Sequence, residues 1–220
     1  PYSPSYQPID PTLLTEAKVK EVHTTIRKAI WSFGPPWRRF FSKLLAPLPH
    51  LDVVRQLFPD ACFIHIIRDG RMTANSMLKL CQREIEQQDR YAIHGKIIRK
   101  SGQYFIPYPR FPRLKEYLDI YGILDIRTTA HLWNDAIDYI DSIKSSFDNY
   151  YEVKFEDILA NPHHEVSAIL KFCSLNSVPP ESRVFWEKIE GVGVVGHLNH
   201  YEGFEMVEEI CASNLRKFGY

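Results

Sequence analysis

The sequence holds one strong candidate for gripping an anion: Arg68 and Ser76, within Phe63-Ile64-His65-Ile66-Ile67-Arg68-Asp69-Gly70-Arg71-Met72-Thr73-Ala74-Asn75-Ser76. A guanidinium offers a planar fork of donors and a hydroxyl one more, so the pair can share a phosphate. The stretch is an apolar run that ends in charge, turns on a glycine and enters helix-compatible residues. That order predicts a buried parallel strand, a tight turn and a helix start. Ligands collect at the carboxyl ends of such strands. Arg68 falls there, with Ser76 about two turns into the following helix. The same residues also suit an ordinary strand-to-helix junction with a surface Arg–Asp pair, and Arg71 is expected to support the turn or meet solvent, with contact to phosphate as a third role.

Other elements must position this stretch. Residues 1–8, rich in proline and tyrosine, read as extended. Asp10-Pro11 reads as a helix cap followed by a first-turn proline, and the helix runs to about Phe33 before Gly34-Pro35-Pro36 breaks it. Arg39 to Lys43 suggests a short strand, and His50 to Phe58 a short helix with Leu51, Val54, Leu57 and Phe58 inward. Strand, helix, strand suggests a βαβ crossover and a parallel sheet. The helix from Arg71 is expected to reach about Gln88. Tyr104 to Pro112 is too proline-rich for regular structure and reads as a loop, either a lid or acceptor wall or a flap over the core. Thr128 or Thr129 is expected to cap a helix to about Phe147, with Leu132, Trp133, Ala136, Ile137, Ile140 and Ile143 buried. Tyr150 to Phe155 reads as a second strand, Glu156 to Pro162 as a turn, and His163 to Cys173, Ser182 to Glu190 and Glu202 to Lys217 as helices. Gly191, Gly193 and Gly196 read as a flexible link.

Composition narrows the class. The chain has 220 residues, which suits one large domain or two small ones, and at 45% hydrophobic and 25% charged it reads as a soluble globular protein with a real core. Basic and acidic residues balance at 27 each, so no global basic field favours nucleic acid and any anion site must be local. No apolar run approaches a membrane span, and no signal peptide is visible. Cys62, Cys81, Cys173 and Cys211 are widely spaced without C-x-x-C, which predicts buried free thiols, no metal and a reducing, cytoplasmic setting. His163-His164 reads as a solvent-facing pair.

Several separated segments together resemble the sulfotransferase family, which moves a sulfuryl group from 3'-phosphoadenosine 5'-phosphosulfate (PAPS) to an acceptor. Leu57-Phe58-Pro59-Asp60-Ala61 leading into Phe63 to Ser76 is similar to that family's 3'-phosphate-binding strand, turn and helix, including the spacing from Arg68 to Ser76. Tyr151-Glu152-Val153-Lys154-Phe155-Glu156-Asp157-Ile158, with Asn161-Pro162, is similar to its second strand. Trp133 stands where the intervening helix usually has a tryptophan, and Asn214 to Tyr220 resembles the end of bacterial-type members. The agreement covers roughly residues 38–90 and 128–220.

The resemblance implies a P-loop-like α/β fold of parallel sheet and flanking helices, with residues 1–220 forming one domain, the C-terminal part of a longer one. It implies PAPS, or the product adenosine 3',5'-bisphosphate, held at its 3'-phosphate by Arg68 and Ser76. Phe155 replaces a family tyrosine near the adenine, keeping the ring and losing the hydroxyl. Lys79 lies one residue from a position where some members place a further basic contact. Lys43 corresponds to a lysine that neutralises charge on the transferring sulfuryl group, although Leu44 and Leu45 replace the usual polar residue and proline. His50 corresponds to a histidine near acceptor or sulfuryl group, with a cap or packing role as the alternative. The family's small-residue loop for the 5'-phosphosulfate and its general base do not occur before Arg68 and are expected upstream of Pro1. The implied acceptor is a small molecule, glycan or lipid with a hydroxyl or amine, and the Tyr104 to Phe111 segment favours one with apolar or aromatic surface. A non-catalytic binding protein on the same fold, or another P-loop-like nucleotide-dependent transferase such as a kinase, remain the competing classes.

Overall fold

The computed structural model describes residues 4–34, 39–43, 47–86, 92–93, 96–97, 106, 108–176, 186–187 and 203–220. Asp10 does not cap a long helix. Its carboxylate accepts from the Thr12 backbone N–H at 2.9 Å and closes a 3-10 turn over Pro11–Leu13. Helix α1 (Glu16–Ser32) starts afresh at Thr15, whose hydroxyl accepts from the Lys18 N–H. It lies on the surface with no fully buried residue, and His23 Nε2 ties it to the Leu57 carbonyl at 2.6 Å. Residues 39–43 form no strand. Phe40 and Phe41 are both exposed, so the run lacks the one buried face that pays for a half-buried strand. The Arg39 guanidinium instead bonds the Cys173 carbonyl. A 3-10 turn (Leu48–His50) leads into α2 (Leu51–Leu57), which buries Val53 rather than Val54.

Strand β1 (Phe63–Ile67) runs directly into α3 (Gly70–Glu86). A short antiparallel pair, β2 (Ala92–Ile93) and β3 (Lys96–Ile97), follows, then α4 (Leu114–Tyr121) and α5 (Ile126–Ile143). Asp125 caps α5 through the Arg127 N–H at 2.8 Å. Thr128 and Thr129, the expected caps, are inside the helix and buried, bonding the Gly122 and Ile126 carbonyls. Strand β4 (Tyr150–Lys154) pairs parallel with β1, from Phe63 beside Tyr150 to Ile67 beside Lys154. The parallel crossover therefore runs from β1 through α3, α4 and α5 to β4, not from residues 39–43. The expected turn after β4 is helical: α6 (Phe155–Ala160) adjoins α7 (Pro162–Phe172), with Pro162 in the first turn where its missing N–H costs nothing. The last helix is α8 (Phe204–Phe218). Gln88, most of Ser182 to Glu190, and the glycines at 191, 193 and 196 lie outside the described residues.

Helix α5 is packed on two sides. Ile126, Ala130, Trp133 and Ile137 recur at helical spacing and meet Ile67, Ala74 and Leu78 below and Val207, Cys211 and Leu215 of α8. Leu132 joins a second core of Cys81, Ile106, Tyr108, Phe111, Leu114 and Tyr117. Tyr108 is 3% and Phe111 2% exposed, and the Tyr108 hydroxyl donates to the Ile123 carbonyl at 3.1 Å. The described part of the proline-aromatic segment is thus core, in line with the flap reading, while Tyr104, Phe105 and Pro107 lie outside the described residues. Burial holds the Tyr108 phenol well above its ordinary range. Three of the four free cysteines are buried as expected, while Cys62 is exposed. Burial pushes the Cys211 thiol up to about 12, a value that suits an inert packing group.

Candidate functional site

Arg68 follows the last residue of β1, and Phe155 follows the last residue of β4. Because Ile67 pairs with Lys154, the next residue of each strand falls side by side at the carboxyl edge. The Arg68 guanidinium sits 5.1 Å from the Phe155 ring centroid, a cation–π contact of about 0.5–2 kcal/mol that fixes its plane without using its donors. Arg68 makes no ion pair among the described residues. A half-buried guanidinium stacked on a ring, with donors to spare and the N-terminus of α3 beside it, suits a phosphate better than solvent.

Arg71 is engaged differently. Its Nη2 donates to Asp69 Oδ2 at 2.7 Å, its Nε to Asp69 Oδ1 at 3.1 Å and its Nη1 to Glu208 Oε1 of α8 at 2.9 Å. These hydrogen bonds raise its pKa further above the usual arginine value. It supports the turn, one of the three roles expected of it. Asp69, 9% exposed, also accepts the Arg71 backbone N–H at 2.9 Å. The Asp69 N–H donates in turn to Glu156 Oε1 at 3.2 Å, and the Tyr220 hydroxyl donates to Glu156 Oε2 at 2.6 Å. Burial, with Glu156 beside it, raises the Tyr220 phenol. Glu156 therefore ties the β1–α3 turn to the chain beyond α8. It escaped the reading of the sequence because its partners are remote in the chain, although its place one residue after Phe155 was a signal available there.

Gly70 stands where nothing larger fits. A Cβ there would lie 2.8 Å from Trp133 Cε3 and Cζ3 of α5, and Trp133 is itself buried. The turn can thus seat directly on α5, which sets the direction in which Arg68 leaves the strand. On α3, Ala74, Leu78 and Cys81 face inward while Ser76 is exposed. At 100° per residue, Lys79 and Arg83 share the Ser76 side of the helix. The face opposite the core therefore carries a hydroxyl and two cations.

The two upstream candidates belong to other elements. Lys43 is exposed on the irregular 39–43 stretch. His50 ends the 3-10 turn, makes no side-chain cap bond and stacks on Tyr6, with ring centroids 5.2 Å apart and planes at 13°. Of the six candidates, the fold brings Arg68 and Phe155 together and sets Ser76 and Lys79 on the helix that leaves them. Among the described residues no three His, Cys, Asp or Glu side chains gather into a metal-binding group.

One face of the sheet beneath Arg68 carries a polar relay. The carboxylate of Glu152 can only accept, so the Tyr150 hydroxyl donates to it at 2.9 Å, and the same hydroxyl oxygen accepts from His65 Nδ1 at 2.7 Å. Burial lowers the His65 pKa. Glu152 opposes that shift and Lys144 reinforces it.

The geometry is that of a mixed α/β protein with a parallel strand pair between helices and an anion-ready strand end. Residues 6–104, a little under half of the chain, match the model of the sulfotransferase family. The match takes in Lys43, His50, Arg68, Ser76 and Lys79. Strand β4 and Phe155 lie beyond it. No curated protein matches the chain. No described helix is long and apolar enough to cross a membrane.

Proposed function

We propose that the chain is a sulfotransferase of the PAPS-dependent kind, acting on a hydroxyl or amine of a small-molecule, glycan or lipid acceptor. The observation that carries this reading is the Arg68 guanidinium, stacked on Phe155 at the carboxyl edge of the β1–β4 pair and bound to no carboxylate among the described residues. Arg68 and Ser76 hold the 3'-phosphate, and Lys79, on the same side of α3 as Ser76, adds positive potential. The Phe155 ring stands at the adenine, where it retains a stacking face. When bound, PAPS supplies the sulfuryl group that moves to the acceptor. Lys43 is assigned to offset charge that grows on the sulfonyl oxygens. His50 is assigned to the neighbourhood of acceptor or sulfuryl group. The burial of Tyr108 and Phe111 removes those rings from the acceptor wall, so the acceptor's surface chemistry is left open by them.

Thermal unfolding of the chain with adenosine 3',5'-bisphosphate tests the reading, because a ligand that binds only the folded state raises the midpoint. The midpoint is expected to rise for the wild type and not for Arg68→Ala. Ser76→Ala is expected to weaken binding about fivefold, the worth of one hydrogen bond. No rise with wild type would sink the proposal. A rise with ATP and none with the bisphosphate would favour a kinase-like transferase, and bisphosphate binding without sulfuryl transfer in any acceptor screen a binding protein.

A further inference from the structure

Between Glu21 and Asp52 the sequence has no acidic residue, while it carries Arg27, Lys28, Arg38, Arg39 and Lys43. Since the whole chain balances 27 basic against 27 acidic residues, this excess is a local property of one segment. In the same segment Trp31 is 88% exposed, Phe33 74%, Phe40 52% and Phe41 82%. Single exposed apolar residues are ordinary in a folded protein, but large rings gathered in one segment mark a surface that meets something. Trp31 and Phe33 lie at the end of α1, and Phe40 and Phe41 follow closely enough that Phe33 and Phe40 cannot be more than about 25 Å apart. Arg27, Lys28 and Lys43, in the same segment, are exposed as well. Arg39 commits its guanidinium to the Cys173 carbonyl, which fastens this stretch to the end of α7.

The chemistry of the rings selects the occupant. Phe33, Phe40 and Phe41 carry no polar atom, so the partner that covers them must offer hydrocarbon. The flanking cations, uninterrupted by any carboxylate, require that the same partner be anionic. An anionic phospholipid bilayer meets both conditions at one surface: aromatic rings settle at headgroup depth and Lys and Arg lie in the negative surface potential. We infer that Arg27, Lys28, Trp31, Phe33, Phe40 and Phe41 form a peripheral docking surface for an anionic membrane. The inference does not rest on the ligand proposed for Arg68.

Co-sedimentation of the full chain with vesicles tests the inference. Vesicles of phosphatidylcholine with phosphatidylserine are expected to carry the protein down, phosphatidylcholine alone much less, and added salt to reduce binding. Phe40→Ser with Phe41→Ser is expected to weaken binding about tenfold or more at every salt concentration. Arg27→Gln with Lys28→Gln is expected to weaken it by a similar factor at low salt and less at high salt. All four positions are exposed, so unchanged circular dichroism and thermal midpoints confirm that the variants fold. Equal binding to both vesicle types, no binding to either, or variants that bind like wild type would overturn the inference. So would retention on heparin or single-stranded DNA without vesicle binding, which assigns the face to a polyanion. A self-association lost in Phe40→Ser with Phe41→Ser, again without vesicle binding, would assign it to a second copy of the chain.

Discussion

Arg68 and Arg71 lie one turn apart at the same strand-to-helix junction and have opposite fates. Arg71 is held by Asp69 and Glu208 and clamps the turn to α8. Arg68 faces an aromatic ring and makes no ion pair among the described residues. Residue type is the same in both, so the difference comes from placement. Asp69 precedes Gly70, caps the start of α3 and captures the arginine on its own side of the turn, while among the described residues the carboxyl edge of the paired strands offers Arg68 the ring of Phe155. The paired arginine holds the turn, and the other is the one proposed above to take the ligand.

The largest expected effect separates these two roles. Arg68→Ala should cost at least about thirtyfold in adenosine 3',5'-bisphosphate affinity, the worth of a charge-assisted phosphate contact, with little change in the stability of the free protein. Arg71→Ala should do the reverse, lowering stability by about 2 kcal/mol because Asp69 is left buried without its cation. Titration calorimetry and urea unfolding on both variants check the contrast, and matching losses in both measurements would erase it.

Gly70→Ala should destabilise the fold by about 1–3 kcal/mol, since the added methyl meets the Trp133 ring and the ring has core on its other side. Chemical denaturation reads this directly. Tyr220→Phe should cost about 1 kcal/mol by removing the hydroxyl that Glu156 accepts. Because Glu156 also accepts the Asp69 N–H, the substitution should weaken the bisphosphate slightly as well, through the turn rather than through contact.

The smallest effect is one of pH. His65 is easier to protonate in the unfolded chain than in the fold, because burial lowers its pKa from the usual 6.5. The unfolded state therefore binds more protons in the window below 6.5, and stability from this group is complete above that value and falls as pH drops through it. Urea midpoints at pH 7.5 and pH 5.5 (about one unit either side of the ordinary histidine value) should differ less in His65→Gln than in wild type.

The junction was legible in the sequence because all its signals are local: an apolar run, a charge, a glycine and a helical pattern within one short window. Glu156 was read as part of a turn because its two partners are tertiary. The same limit explains the cap of α5. Asp125, Thr128 and Thr129 are all good capping residues, and only packing against α4 and α8 decides that the helix starts at Asp125 and buries both threonines. Phe40 and Phe41 looked like strand residues by type, yet a strand needs a partner and a buried face, and neither is written in five residues. The proline-aromatic segment could be lid or core on composition alone; the depth of Tyr108 and Phe111 is a property of the assembled fold.

Helix α5 meets one core through Trp133 and Ile137 and the other through Leu132. Such a helix cannot melt while either core persists. Its central amides should therefore be among the last to exchange with deuterated solvent, at a free energy close to that of global unfolding, whereas those of α1, which buries no residue fully, should exchange through local opening. A helix that carries none of the candidate ligand-binding residues thus couples the two cores into a single cooperative unit, and the strand end that carries Arg68 inherits its order from that unit.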